Sequence, residues 1–156
     1  MKKNAFSIIV GSYALQNYTS IRDGVPGLVD HWGTGITGVI TYTTSGWVST
    51  VMGTSDPTLQ PAKNLTYPPN AAQPDSEWAK IGRGSYSYSG PFTIKATSKT
   101  TGSIGHGPLV ASSFPTSIGN TLNRNYTLVK IDGVWWLELS FGTENALSVI
   151  WWKQVA

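Results

Sequence analysis

The hydrophobic positions of this chain alternate far more often than they recur at helical spacing. In "SIIVGSYALQNYTS", Tyr13, Leu15 and Asn17 fall on one face and Ser12, Ala14 and Gln16 on the other. That two-residue period is the mark of a strand, and the apolar "AFSIIV" before it runs straight into it. "ITGVITYT" and "GWVSTVMG" repeat the pattern on either side of "TSG" and predict a hairpin. Between them and the first strand, "RDGVPGLVDHWGTG" carries the Asp-Gly and Pro-Gly of a loop. From Ser55 to Pro74 the chain is rich in Pro, Asn, Gln and Thr, a loop of about twenty residues, a length typical of lids and disordered segments. "SEWAKIG" predicts one short helix near 75–81, capped by Asp75 or Ser76 and ended by Gly82. Strand patterns resume in "GSYSYSG", "FTIKATSKT" and "NRNYTLVKID".

The last hairpin, "VWWLELSFGTENALSVIWW", contains two adjacent tryptophan pairs, and its register decides which way they face. A two-residue Thr143-Glu144 turn would set Trp151 on the face of Glu138 and Trp152 with Leu137 and Leu139. A three-residue Thr143-Glu144-Asn145 loop, with Asn145 left-handed, gathers Trp135, Leu137, Leu139, Phe141, Leu147, Val149 and Trp151 on one face. The hydrophobic pattern favours this loop. It predicts Trp135 and Trp151 inside, with Trp136 and Trp152 stacked outside as an apolar patch suited to a homodimer.

These elements predict an all-β fold. It is a single domain over 1–156, an up-and-down antiparallel barrel of eight or nine strands whose closure removes the sheet edges. Composition agrees: only 12% of residues are charged, 12% are aromatic, and glycine is abundant. A net charge of +3 with scattered basic residues gives no nucleic-acid footprint. No cysteine is present, which excludes disulfides and thiol chemistry. The basic "MKK" start has no cleavage site after its short apolar run, so a cytoplasmic protein with no membrane segment is expected.

Five segments, in order, resemble the lipocalin-like domain family, a calycin-type barrel. They are "GSYALQNYT", "GVITYTTSGWVSTVM", "SYSYSGPFTI", "SSFPTSIGNTLNRNYTL" and "SVIWWKQV". Where the family often has a His-His-x-Glu-like segment before Phe-Pro, this chain has "IGHGPLVASSFP", with a single histidine. Tyr13 stands where the family's first strand usually has Trp. The resemblance implies a binding cavity, a first loop carrying His31 folded across the open end, and Arg124 packed on Tyr13 at the closed end. Some members of the family are similar to cofactor-free cyclases, including Diels–Alderases.

The chemistry available is sparse. His106, between glycines in "GHG", suits a general base with a near-neutral pKa. His31, flanked by Asp30 and Trp32, is placed to gate or touch a ligand. Two histidines without an acidic cluster give no metal site, and no motif for a nucleotide cofactor or a serine nucleophile is present. Arg124 shares the parity of the apolar Tyr126 and Leu128, so it points inward. The expected ligand wall is Asn17, His31, Trp32, Tyr42, Trp47, Ser49, Tyr86, Trp135 and Trp151. The groups expected to act on substrate are Tyr13, Tyr88, His106 and Arg124. Together they predict a barrel for a hydrophobic small metabolite. The leading expectation is a cofactor-independent cyclase or isomerase of natural-product biosynthesis that works by shaping its substrate. The rivals are a non-catalytic carrier and a structural barrel filled by its own side chains.

Overall fold

A computed structural model describes residues 4–155, apart from the side chain of Asp30; Lys2 and Lys3 lie outside the described residues. The strands are β1 Gly11–Arg22, β2 Val25–Gly27, β3 Ile36–Tyr42, β4 Trp47–Thr54, β5 Ser85–Ala96, β6 Thr101–His106, β7 Ala111–Ser112, β8 Leu122–Ile131, β9 Val134–Thr143 and β10 Ala146–Val155. Eight of them wind antiparallel in the order β1-β3-β4-β5-β6-β8-β9-β10, and β10 pairs with β1 to close the barrel. The short β2 adds to β1 and the short β7 to β5. This is the all-β up-and-down barrel that the alternating pattern predicts. None of the described helices is long and apolar enough to cross a membrane.

Two hairpins turn on Asp-Gly. Asp23-Gly24 and Asp132-Gly133 all have positive φ, from 49° to 81°. That is the mirror-image turn whose twist matches the strands it joins. Along each strand one face turns inward: Tyr13 and Leu15 on β1, Ile40 and Tyr42 on β3, Val48, Thr50 and Met52 on β4, Leu137 and Leu139 on β9.

Four local features differ from the sequence pattern. The run "AFSIIV" does not enter β1 as strand: Ala5–Ile9 form a helical turn, α1, whose N-cap Asn4 accepts from the Ser7 amide at 2.9 Å. A six-residue, mostly apolar run is too short for its periodicity to separate helix from strand. α1 plugs one end of the barrel, with Ile8 and Ile9 buried and Phe6 stacked on Phe92 at 5.5 Å. In β1, the pairing with β10 shifts between Leu15 and Asn17, a bulge at Gln16. The extra residue swings Asn17 to the exposed face and carries Tyr18 inside. The helix near 75–81 is present as α2, Asp75–Arg83, but it starts at Asp75 behind Pro74 and ends at Gly84 rather than Gly82. Segments 85–90 and 92–99 are not two strands: β5 runs unbroken through Gly90-Pro91.

The last hairpin is the fifth difference. Its turn is Glu144-Asn145, with Thr143 opposite Ala146, Leu137 opposite Trp152 and Glu138 opposite Trp151. Gly142 lies at φ 117°, where a Cβ would run into the Ala146 carbonyl, so a glycine permits this close turn. Neither of the two registers considered from sequence is formed. The faces follow the rejected one, with Trp152 alongside Leu137 and Leu139. Trp152 is 1% exposed and Trp151 is half-buried on the outer face beside Glu138. Trp136 faces outward under the Lys153 ammonium, 5.7 Å from its ring. The Trp136–Trp152 stack is therefore absent; the outward indoles are Trp136 and Trp151.

Candidate ligand site

The end of the barrel away from α1 opens into a cavity of about 560 Å³. Its walls are largely apolar or aromatic: Tyr18, Ile40, Met52, Tyr86, Tyr88, Leu139, Phe141, Ile150 and Trp152 line it from the strands. Three connections rim it. His31 and Trp32 come from the 3₁₀ turn Asp30–Trp32, Gly82 and Arg83 from the end of α2, and Ser113, Phe114 and Ser117 from the stretch after β7. The 55–74 loop, of a length typical of lids and disordered segments, contributes nothing to this wall. It packs beside α2, where the Ala62 amide donates to Glu77 at 2.7 Å.

The Trp32 rim is fixed by polar contacts behind it. Thr54 donates to the Trp32 carbonyl at 2.8 Å, and the Thr34 amide donates to Asp56 at 2.9 Å. Gly33, at φ 63°, leaves the space the Asp56 carboxylate occupies. Hydrogen bonds from the Thr58 hydroxyl, then from the Thr34 and Thr58 amides, hold the Asp56 carboxyl down at about 2. The aromatic wall continues inward from there, with Trp32 6.3 Å from Tyr18 and Tyr18 edge-on to Phe141 at 6.5 Å.

Behind Tyr88 lies a buried polar chain. His106 Nδ1 is 2.8 Å from the Tyr88 hydroxyl and His106 Nε2 is 2.8 Å from the Tyr42 hydroxyl. His106 is 0% exposed, Tyr42 1% and Tyr88 7%. Burial, reinforced by the charge of Arg124, depresses the imidazole to about 3, so it is neutral at physiological pH. A neutral imidazole donates from one nitrogen and accepts at the other. If Nε2 donated, the Tyr42 hydroxyl hydrogen would be buried with no acceptor, at a cost of about 1–3 kcal/mol. Satisfaction therefore selects the other tautomer: Tyr42 donates to Nε2, and Nδ1–H donates to Tyr88. The Tyr88 oxygen already accepts, so its own hydrogen is left to donate toward the cavity it lines. Burial raises both phenols well above their usual range, which keeps them protonated as donors.

Arg124 enters the same space from β8. Its guanidinium lies 3.9 Å over the Phe141 ring and donates one hydrogen bond, 3.1 Å, to the Asn123 carbonyl. It does not pack on Tyr13. Tyr13 sits at the plugged end, where its hydroxyl donates to the Ile8 carbonyl at 3.0 Å, and it is absent from the cavity wall. The β8–β9 pairing explains the change: Asn125 lies opposite Ser140, which sets Phe141 of β9 beside Arg124.

Of the expected wall, His31, Trp32 and Tyr86 line the cavity, and Tyr42 sits behind it as partner of His106. The other five do not line it. Trp47 and Ser49 are on the outer face of β4, both bonded to the Ser89 hydroxyl. Asn17 is exposed and Trp151 faces outward. Trp135 packs at the core margin, with Lys130 5.6 Å above its ring. Of the groups expected to act on substrate, Tyr88 and Arg124 line the cavity, His106 stands one hydrogen bond behind it, and Tyr13 is remote. The sequence reading missed Tyr18, Met52, Phe141 and Trp152. Only Trp152 had a signal, the alternative hairpin register. Among the described residues, no three His, Asp or Glu side chains come together as metal ligands.

A closed antiparallel barrel with an interior cavity open at one end is the architecture of small-molecule-binding β-barrels. The chain belongs to the lipocalin-like domain family, whose model matches residues 10–155. No curated protein and no solved structure matches it.

Proposed function

We propose that this protein binds a hydrophobic small molecule inside its barrel. The observation that carries this reading is the cavity of about 560 Å³, apolar over most of its wall with a few polar groups converging at one side. Ligand pockets are typically about 300–1,000 Å³, whereas a barrel filled by its own side chains leaves less. The test is native mass spectrometry of the purified protein, followed by tryptophan-fluorescence titration with a panel of apolar compounds. One-to-one retention or saturable quenching supports the reading. A protein that retains nothing and is quenched by none of the panel contradicts it.

A second reading, cofactor-free isomerisation or cyclisation of a natural-product-type substrate, is favoured by one observation. The Tyr88 hydroxyl is oriented by His106 so that its hydrogen is available to a carbonyl oxygen in the cavity. Such a fixed donor stabilises an oxygen that gains charge as bonds rearrange, while the walls fold a flexible substrate into a reactive conformer. In this reading, Tyr88→Phe retains substrate binding and loses roughly 10²-fold in turnover, measured with an enone or polyene precursor in the absence of cofactors. Unchanged turnover in Tyr88→Phe contradicts it, and binding without any turnover leaves the carrier.

A further inference from the structure

The charged groups on the cavity wall are cationic. Arg83 and Arg124 both line it, and no Asp or Glu among the described side chains does. Arg83 comes from the end of α2, and Arg124, half-buried, comes from β8. The charge of Arg124 is felt at Tyr18, Tyr42 and Tyr88, where it opposes the larger upward effect of burial, and at His106, where it adds to the downward effect of burial. A guanidinium has five N–H donors. In Arg124 one of them reaches the Asn123 carbonyl, and the only ion pair among the described residues is Lys80–Glu77, on α2. A cation drawn into an aromatic-walled space without a carboxylate is costly unless something completes it. The Phe141 ring offsets part of that cost and also fixes the guanidinium plane. Tyr88 adds a further donor to the same wall.

Resting on the binding reading above, the structure assigns the ligand a chemical class: we infer an amphiphile with a carboxylate head on Arg124 and an apolar body against Tyr18, Ile40, Leu139 and Ile150. A carboxylate offers the negative charge that the described side chains of this wall lack, and its planar geometry matches the guanidinium fork. A neutral apolar ligand would leave Arg124 without a partner. A cationic one would meet two guanidinium groups.

Three dodecyl probes that differ only in the head test this: dodecanoate, dodecanol and dodecylammonium. They are titrated against tryptophan fluorescence at pH 8, below their aggregation concentrations. In the native protein, dodecanoate is expected to bind at least about tenfold more tightly than dodecanol, with dodecylammonium weakest. Arg124→Met should remove the preference for dodecanoate while leaving dodecanol binding within about twofold, and Arg124→Lys should restore part of it. Equal binding of dodecanoate and dodecanol by the native protein overturns the assignment of the head but leaves the cavity as a binding site. A preference that survives in a folded Arg124→Met protein overturns the role of Arg124. If none of the three binds, the binding reading fails together with the inference. Should Arg124→Met fail to fold, the order of the three heads on the native protein still decides the ligand class.

Discussion

Trp152→Ala is expected to destabilise the barrel by about 3–5 kcal/mol, the cost of truncating a fully buried large aromatic and leaving a void behind. Trp152 is 1% exposed, and its strand neighbours across the sheet are Leu15 on β1 and Leu137 on β9, both buried. It therefore lies at the seam where β10 closes the barrel onto β1, and its indole also forms part of the cavity wall. Trp151→Ala removes the same number of atoms one residue earlier. That side chain is half-buried on the outer face, and the loss is expected to stay near 1 kcal/mol. Urea unfolding of the two variants measures the difference directly. Equal losses, or a larger loss for Trp151→Ala, would mean that the hairpin is in the other register.

The second large effect is a loss of stability in mild acid. An unfolded histidine takes a proton near pH 6.5, whereas His106 in the fold does not until about pH 3. Between those values the unfolded chain binds more protons than the native one. Stability is thus fully present above pH 6.5 and is lost as pH falls toward 3. The slope approaches about 1.4 kcal/mol per pH unit, or about 2–3 kcal/mol between pH 6.5 and 4.5, a window in which ordinary carboxylates are still largely ionised. His106→Gln keeps a donor and an acceptor but cannot titrate. It should flatten the curve in that window while losing some stability at neutral pH through poorer bonding to Tyr42 and Tyr88. A native protein equally stable at pH 6.5 and 4.5 would show that His106 accepts its proton in the fold, contrary to its burial.

Much of the barrel is legible in the sequence because alternation over six to ten residues leaves little choice of element. The β3–β4 hairpin and the inward parity of Arg124 follow from that pattern alone. What is not legible is anything set by a single residue. One bulge at Gln16 exchanges Asn17 for Tyr18 on the inner face, and no propensity marks where a strand takes an extra residue. The turn at Glu144-Asn145 reverses the roles of Trp151 and Trp152, because both strands carry apolar residues on both faces. Trp47 and Ser49 alternate with Val48 and Thr50, and an aromatic with a hydroxyl suggests a ligand wall as readily as an outer ladder. The His106 chain was only half visible. The histidine stood out, but its partners lie 64 and 18 residues away in sequence, and only the closed sheet brings them together. Its burial then inverts the expected chemistry. His106 acts as a neutral link that orients Tyr88, not as a base near neutral pH.

The proposed function rests on a ligand entering the barrel interior. The indole N–H signals of the seven tryptophans, followed by two-dimensional NMR during titration with dodecanol, test it most directly. Trp32 and Trp152, which line the cavity, are expected to shift in proportion to saturation, while Trp47, Trp136 and Trp151 on the outer faces stay in place. Saturable binding that moves only the outer tryptophans would contradict it.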